Sequence, residues 1–120
     1  MIEVITSVNE YYWNLIGRDC VKSWLAHWSD QFRLTVYVED FRLPMQSDRI
    51  SEIEFDQLDP DYERFQNENF NHSTKRFAKK AYSFMHAMRH STSAWVIWLD
   101  ADVITQQALG WTEWRTLLNP

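Results

Sequence analysis

Short runs of apolar and β-branched residues alternate in this chain with longer segments that repeat apolar residues at helical spacing. The runs at 2–8 and 32–38 have the length and composition of buried strands, and a nearly continuous apolar run covers 94–99. Between the first two runs, apolar side chains recur every three or four residues from Tyr11 to Trp28, with charged residues opposite them. This order predicts a strand, a helix and a second strand, which together form a parallel βαβ unit.

The second half of the chain predicts two more helices around the third apolar run. Residues 73–89 form the first, with Ser73 or Asn71 as its N-cap, and 106–118 form the second. The face of the first helix that is predicted to pack on the sheet consists of Phe77, Ala81, Phe84, Met85 and Met88. The run at 94–99 is typical of a central parallel strand covered on both faces. We therefore expect an α/β fold with a mainly parallel sheet of at least three strands flanked by helices.

The segment 41–72 is rich in acidic residues and has few consecutive apolar ones. Its acidic residues include Glu52, Glu54, Asp56, Asp59, Asp61, Glu63 and Glu68. We interpret it as an exposed acidic connection with one short helix that starts at Pro60. Because 120 residues provide one compact core and little more, the whole chain, 1–120, is expected to be a single domain.

Composition argues against several classes of protein. A net charge of −5 opposes a general electrostatic grip on nucleic acid or anionic lipid, so any phosphate site must be local. Cys20 is the only cysteine, which rules out an intrachain disulfide and fits a reducing compartment. The first residues lack the pattern of a signal peptide, and no apolar run approaches the roughly 20 residues of a membrane span. A cytoplasmic protein without a membrane span is expected.

Polar residues follow each of the three predicted strands. They are Ser7 to Asn9 at the end of the first, Glu39 and Asp40 after the second, and Asp100 and Asp102 after the third. In open α/β sheets, ligands bind just beyond the carboxyl ends of the strands, so these three clusters are expected to meet at one rim. This convergence is the main argument from the residues for a binding site.

Asp100 and Asp102 are the candidate metal ligands. Two carboxylates at positions i and i+2 of an extended segment point the same way, and oxygen ligands with open positions suit Mg²⁺ or Mn²⁺. Such a cation neutralises the charge that builds on a nucleotide-diphosphate leaving group. The structural alternative is that the two aspartates only end the strand, by forming turns or by capping the next helix.

Two stretches at a fixed separation resemble a known family. Residues 77–84, Phe-Ala-Lys-Lys-Ala-Tyr-Ser-Phe, and 95–102, Trp-Val-Ile-Trp-Leu-Asp-Ala-Asp, are similar to bacterial and phage-type GT-A glycosyltransferases. The resemblance implies a Rossmann-like GT-A fold in which Lys80, Asp100 and Asp102 surround the diphosphate of a nucleotide-sugar donor. Because Lys80 lies at the edge of the predicted apolar stripe, it is expected to face the same cleft as the two aspartates.

The segment 6–12 and the strand end at Glu39 and Asp40 also resemble the nucleoside-binding parts of that fold. The full set of donor-binding candidates is Thr6, Ser7, Asn9, Tyr11, Asp40, Arg76, Lys80 and Asp100. Each class of candidate has a structural alternative. Arg76 and Lys80 can simply solvate a helix face, Tyr11 can pack at a helix start, and Asp40 can cap a turn.

Complete enzymes of this family continue beyond the metal motif. The resemblance therefore implies the N-terminal, nucleotide-sugar-binding half of a metal-dependent glycosyltransferase, truncated relative to a full-length enzyme. Transfer to an unknown acceptor then requires the missing half, a partner chain or an oligomer that completes the site. Two alternatives stay open: a nucleotide-binding or structural module that has lost catalysis, and a metal-dependent phosphotransfer or nuclease-like protein. Against the latter, the sequence has no Gly-rich phosphate loop.

Overall fold

The computed structural model describes residues 1–68 and 71–118. Four parallel strands form one sheet in the order β3-β2-β1-β4. They are β1 (Ile2–Asn9), β2 (Phe32–Glu39), β3 (Ile50–Glu54) and β4 (Val96–Trp98). The predicted α/β class and parallel sheet are confirmed, and this strand order is compatible with a Rossmann-like fold.

A continuous helical segment connects β1 to β2, as predicted. It consists of α1 (Glu10–Tyr12), a π-helical segment (Trp13–Gly17) and α2 (Arg18–His27). Gly17 allows this segment to approach the sheet closely, because a Cβ atom there would lie 3.0 Å from the Cγ2 atom of Val8. The helix start therefore lies directly beside the carboxyl end of β1.

Side chains of the sheet pack into a core on each of its two faces. Alternation along β1 directs Val4 and Val8 to one face and Ile5 to the other. The first core contains α2 through Cys20, Val21 and Trp24, together with Ile2, Trp13, Trp28, Phe32, Leu34, Val36, Val38 and Leu99. The second core contains Tyr37, Phe55, Leu58, Tyr62 and Ala87. The sheet is thus covered by α2 on one side and by the helices between β3 and β4 on the other.

The segment 41–72 is not the exposed connection that its composition predicts. It contains β3, a 3₁₀ turn (Phe55–Gln57) and α3 (Pro60–Glu68), which starts at the predicted residue. Three of its apolar side chains, those of Phe55, Leu58 and Tyr62, are buried in the second core. The prediction was wrong because these apolar residues are isolated among acidic ones and form no run in the sequence.

Helix α4 (His72–His90) starts at the predicted N-cap, since the side chain of Asn71 accepts a hydrogen bond from the backbone nitrogen of Thr74 at 3.0 Å. Of its predicted sheet-facing stripe, only Phe84 packs on the second core, and the other four positions are wrong. Phe77 and Met88 are 69% and 67% exposed, and Ala81 and Met85 are exposed as well. The buried positions of α4 are instead Ala78, Ser83 and Ala87. Small side chains at this contact let the helix lie close to the sheet.

Strand β4 is shorter and less covered than predicted. Within the described residues it pairs only with β1, so it is an edge strand of three partly buried residues and not a central strand. Its apolar run arises because Ile97 packs on the first core while Val96 and Trp98 pack on the second. Helix α5 (Trp111–Leu118) is also shorter than the predicted 106–118. No helix among the described residues is long and apolar enough to span a bilayer.

Candidate functional site

The order of the strands places a crevice beside the carboxyl end of β1. The chain proceeds from β1 to β2 and β3 on one side, and then returns to add β4 on the other side of β1. Ligands of open α/β sheets bind at such a switch point. A cavity of about 590 Å³ lies there, between the strand ends, the π-helical segment and the first half of α4.

The strand ends converge on this cavity as expected. Its polar lining comprises Ser7 and Asn9 from β1, Glu39 from β2, and Asp100 and Asp102 after β4. Asn9 also caps the helix that follows, because its Oδ1 atom accepts a hydrogen bond from the backbone nitrogen of Tyr12 at 2.8 Å. The roles of these residues in binding stay predictions.

Three predicted donor-binding residues do not line the cavity. Thr6 is only 1% exposed, because it lies within β1 and alternation along the strand directs it to the same face as Val4 and Val8, into the first core. Tyr11 is 67% exposed on the outer side of the helix start. Asp40 follows the end of β2 in a left-handed conformation, with φ of 57°, so that its side chain lies outside the lining.

A neighbouring residue lines the cavity in place of each of these three. Ser7 does so beside Thr6, Tyr12 beside Tyr11, and Glu39 beside Asp40. The sequence located the polar clusters correctly but not the side chain of each that faces the cavity, since orientation depends on the strand register and on the exact helix start.

Helix α4 supplies a basic wall, formed by Arg76, Lys79 and Lys80. The Nζ atom of Lys79 lies 2.5 Å from Oε2 of Glu39, whereas Nζ of Lys80 lies 4.0 Å from Oδ1 of Asp100. Two consecutive lysines therefore reach the ends of two different strands. Lys80 faces the predicted cleft, although the apolar stripe from which this was predicted is largely wrong. Lys79 is not among the predicted donor-binding residues, and its place in the sequence next to Lys80 gives no sign of the Glu39 contact.

Trp98 links Lys80 to Asp100. Its indole nitrogen donates a hydrogen bond to Oδ1 of Asp100 at 2.5 Å, and its ring lies 5.1 Å below the Lys80 ammonium. Phe84 stacks on the same indole, with 5.7 Å between the ring centroids. Trp98 belongs to the predicted apolar run 94–99, and that pattern gives no sign of this contact.

The backbone at Asp100 turns, because the nitrogen of Val103 donates to the carbonyl oxygen of Asp100 at 3.1 Å. The expectation that Asp100 and Asp102 lie on an extended segment is therefore wrong, although both still line the cavity. The thiol of Cys20 contacts the same carbonyl oxygen at 3.6 Å. Burial, together with the carboxylates of Asp102 and Asp100, raises the pKa of this thiol to about 11, so it stays protonated as a donor.

Two further hydrogen bonds fasten the segment after this turn to α2 and the residue that follows it. The backbone nitrogen of Thr105 donates to Oγ of Ser23 at 2.9 Å, and the indole nitrogen of Trp28 donates to Oγ1 of Thr105 at 2.8 Å. Together with the Cys20 contact, they join the turn that carries Asp100 and Asp102 to the first core, on the face of the sheet opposite α4.

Asp100 and Asp102, the predicted metal ligands, are both accessible to solvent. The side chain of Asp100 is 61% exposed, and Asp102 is exposed too. Among residues 1–68 and 71–118, no three His, Cys, Asp or Glu side chains are grouped closely enough to hold a metal by themselves. Two accessible carboxylates fit Mg²⁺ or Mn²⁺, which completes its shell with water and phosphate oxygens, better than they fit a structural zinc site.

A second cavity, of about 770 Å³, lies beside β3 and is lined by residues between Arg42 and Glu52. Its charged side chains are those of Arg42, Asp48 and Glu52. Arg42 and Glu52 pair with each other at 3.5 Å, and Oε1 of Glu52 also accepts a hydrogen bond from the backbone nitrogen of Leu43. No strand end of β1, β2 or β4 reaches it. It offers a ligand fewer available charges than the cavity at the switch point.

Comparison with known proteins does not assign the chain to a family: no protein-family model matches it, and no curated protein matches it at a significant level. The chemistry of the cavity is therefore what indicates a ligand. Three cationic side chains from α4 face carboxylates at the ends of β2 and β4, and aromatic and aliphatic side chains complete the walls. This combination suits an anionic ligand that is bound together with a divalent cation.

Proposed function

We propose that this chain binds a nucleotide-diphosphate sugar in the cavity at the switch point, as the donor-binding part of a metal-dependent glycosyltransferase of the GT-A type. The observation that carries the proposal is the 4.0 Å approach of Lys80 to Asp100 at the carboxyl end of β4. A diphosphate requires positive charge on its oxygens, and this site offers a lysine together with two carboxylates that suit a cation.

The diphosphate would lie between α4 and the turn after β4. Arg76 and Lys80 would contact its oxygens, and Asp100 with Asp102 would hold Mn²⁺ or Mg²⁺. When bound, such a cation acts as a Lewis acid that stabilises the charge on the departing nucleotide diphosphate. Trp98 would keep the Asp100 carboxylate oriented through its indole hydrogen bond.

The nucleoside would lie at the ends of β1 and β2. Glu39 would accept a hydrogen bond from a ribose hydroxyl, as acidic residues after the second strand do in nucleotide-binding sheets, and so take the role predicted for Asp40. The ring of Tyr12 is available for stacking on the base. Since Oδ1 of Asn9 already accepts from the Tyr12 backbone, its amide group is left to donate to the ligand.

An alternative is a nucleotide-binding module that does not transfer sugar. An inverting transfer needs a base that takes the proton of the acceptor hydroxyl. The described carboxylates of the cavity are Glu39, Asp100 and Asp102, of which Glu39 pairs with Lys79 and the other two are the proposed metal ligands. No carboxylate of this described lining is left for that role, and this observation favours binding without transfer by these residues alone.

Calorimetry on the full chain tests the proposal. UDP-glucose, GDP-mannose, UDP, GDP and inorganic pyrophosphate would each be titrated with Mn²⁺, with Mg²⁺ and with EDTA. We expect binding of at least one nucleotide diphosphate that requires the metal and exceeds the affinity for pyrophosphate, because the nucleoside adds contacts. Absence of binding, or binding that EDTA leaves unchanged, would contradict the proposal. NMR detection of sugar release or transfer would then separate the enzyme from the binding module.

A further inference from the structure

The Asp100 carboxylate contacts two other residues of the same chain. Its Oδ1 atom accepts the Trp98 indole hydrogen and lies 4.0 Å from the Lys80 ammonium. The ammonium is held from a second direction, since it also lies over the Trp98 ring at 5.1 Å. The carboxylate that is proposed to receive a metal ion thus already has a counter-ion from the same chain.

A divalent cation and the Lys80 ammonium cannot both remain at this carboxylate without cost. Two positive charges a few ångströms apart repel each other, and the repulsion is greater at a protein surface than in bulk water. The carboxylate of Glu39 does not offset the added charge, because it is paired with the Lys79 ammonium at 2.5 Å. Entry of a cation at Asp100 therefore favours movement of the Lys80 ammonium away from it.

The cavity provides a place for the displaced ammonium. The side chain of Lys80 is about half exposed, and both it and Asp100 line the same space of about 590 Å³. A lysine ends in a compact charge on a flexible four-carbon stem, so a small rotation moves its ammonium from a carboxylate to a nearby phosphate oxygen. Cys20 and Trp98 also contact Asp100, but the fold holds both in place, so neither can make the same movement.

We propose that Lys80 is an exchangeable counter-ion, which neutralises Asp100 in the free protein and transfers to the diphosphate when a cation binds Asp100. This inference rests on the proposed function. The cation alone must displace Lys80, whereas the diphosphate supplies the ammonium with a new anionic partner. Cation and diphosphate consequently bind with positive coupling, and each raises the affinity for the other by the same factor.

The test is a change of opposite sign in two titrations of the Lys80→Met variant, which keeps an aliphatic side chain over Trp98. Mn²⁺ alone, followed by calorimetry or by electron paramagnetic resonance, should bind about two- to five-fold more tightly than to the wild type, because a competing exposed ion pair is gone. UDP in the presence of saturating Mn²⁺ should bind about ten-fold or more weakly, because a charge-assisted contact is lost. Lys80→Gln should reproduce both changes.

Lys75→Met is the matched control, since it removes the same charge from the same helix at a residue outside the cavity lining. It should move both affinities by less than either Lys80 variant does. The exchange would be overturned if the Lys80 variants bound Mn²⁺ no more tightly than the wild type, or if neither bound Mn²⁺ detectably. If wild-type UDP binding still required Mn²⁺ in that case, the proposed function would stand without the exchange of Lys80. If UDP fails to bind at all, the proposed function fails, whereas the Mn²⁺ titration still decides whether Lys80 competes for Asp100.

Discussion

The indole nitrogen of Trp98 and the Oδ1 atom of Asp100 are joined by a hydrogen bond across the last residues of the edge strand β4. Trp98 is itself fixed, because Phe84 stacks on one side of its ring system and β1 pairs with its backbone. The orientation of the proposed metal-binding carboxylate therefore depends on a residue that would not contact the metal.

Replacing Trp98 with Phe should weaken Mn²⁺-dependent UDP binding by about ten-fold, since partners that orient metal ligands typically contribute that much. The phenyl ring retains an aromatic surface for Phe84, so the melting temperature should change little. Calorimetry and thermal unfolding measure the two effects. Trp95→Phe, at an exposed tryptophan outside the cavity, is the control. Equal affinities in the two variants would remove Trp98 from the site.

Thr6→Val should leave UDP affinity unchanged and raise the free energy of unfolding by up to about 1 kcal/mol. The hydroxyl of Thr6 is buried and has no hydrogen-bond partner among the described residues, so a methyl group at that position removes an uncompensated polar atom. Calorimetry measures the UDP affinity, and urea unfolding measures the free energy of unfolding. Loss of UDP binding with an intact fold would restore Thr6 to the donor-binding residues, and marked destabilisation would reveal a partner for the hydroxyl.

Stability should fall in mildly acidic solution through His86. Its Nδ1 atom lies 2.9 Å from the hydroxyl of Tyr37, and burial, with the neighbouring His90, lowers the pKa of the imidazole. The folded protein thus binds a proton at His86 less readily than the unfolded chain, in which the pKa is about 6.5. The contribution of the neutral ring is complete above that pH and is lost as the pH falls below it.

Urea unfolding at pH 7.5 and pH 5.0 measures this dependence. In the His86→Asn variant the decrease in unfolding free energy between the two pH values should be smaller than in the wild type. The matched control is His72→Asn, at an exposed position in the first turn of α4, which should retain the wild-type decrease. A decrease in His86→Asn as large as in the wild type would assign the pH dependence to other groups.

Strands β1 and β2 were predictable because each is a compact apolar run, whereas β3 was not. Its half-buried Ile50 and Ile53 are separated by Ser51 and Glu52, and its place at the edge of the sheet depends on the pairing with β2. An acidic edge strand is difficult to distinguish by composition from an exposed loop. The connection 41–72 was consequently assigned too little structure.

The candidate site was predictable as a set of strand ends but not as a set of side chains. The spacing of Asp100 and Asp102 was visible in the sequence, whereas the contacts of Trp98 and Lys79 depend on how α4 lies on the sheet. That packing was misjudged, because Ala78 and Ala87 contact the sheet where Phe77 and Met88 were expected to. Large apolar residues define a helix face in a pattern, but the closest packing can favour the small ones.

The double variant Asp100→Asn with Asp102→Asn tests the central claim most directly, in a calorimetric titration with UDP at saturating Mn²⁺. The control is Asp30→Asn with Asp48→Asn, which removes the same charge from exposed aspartates outside the cavity. We expect the first variant to lose Mn²⁺-dependent binding while keeping the wild-type melting temperature, and the control to bind UDP as the wild type does. Mn²⁺-dependent binding of wild-type strength in the Asp100 and Asp102 double variant would contradict the account.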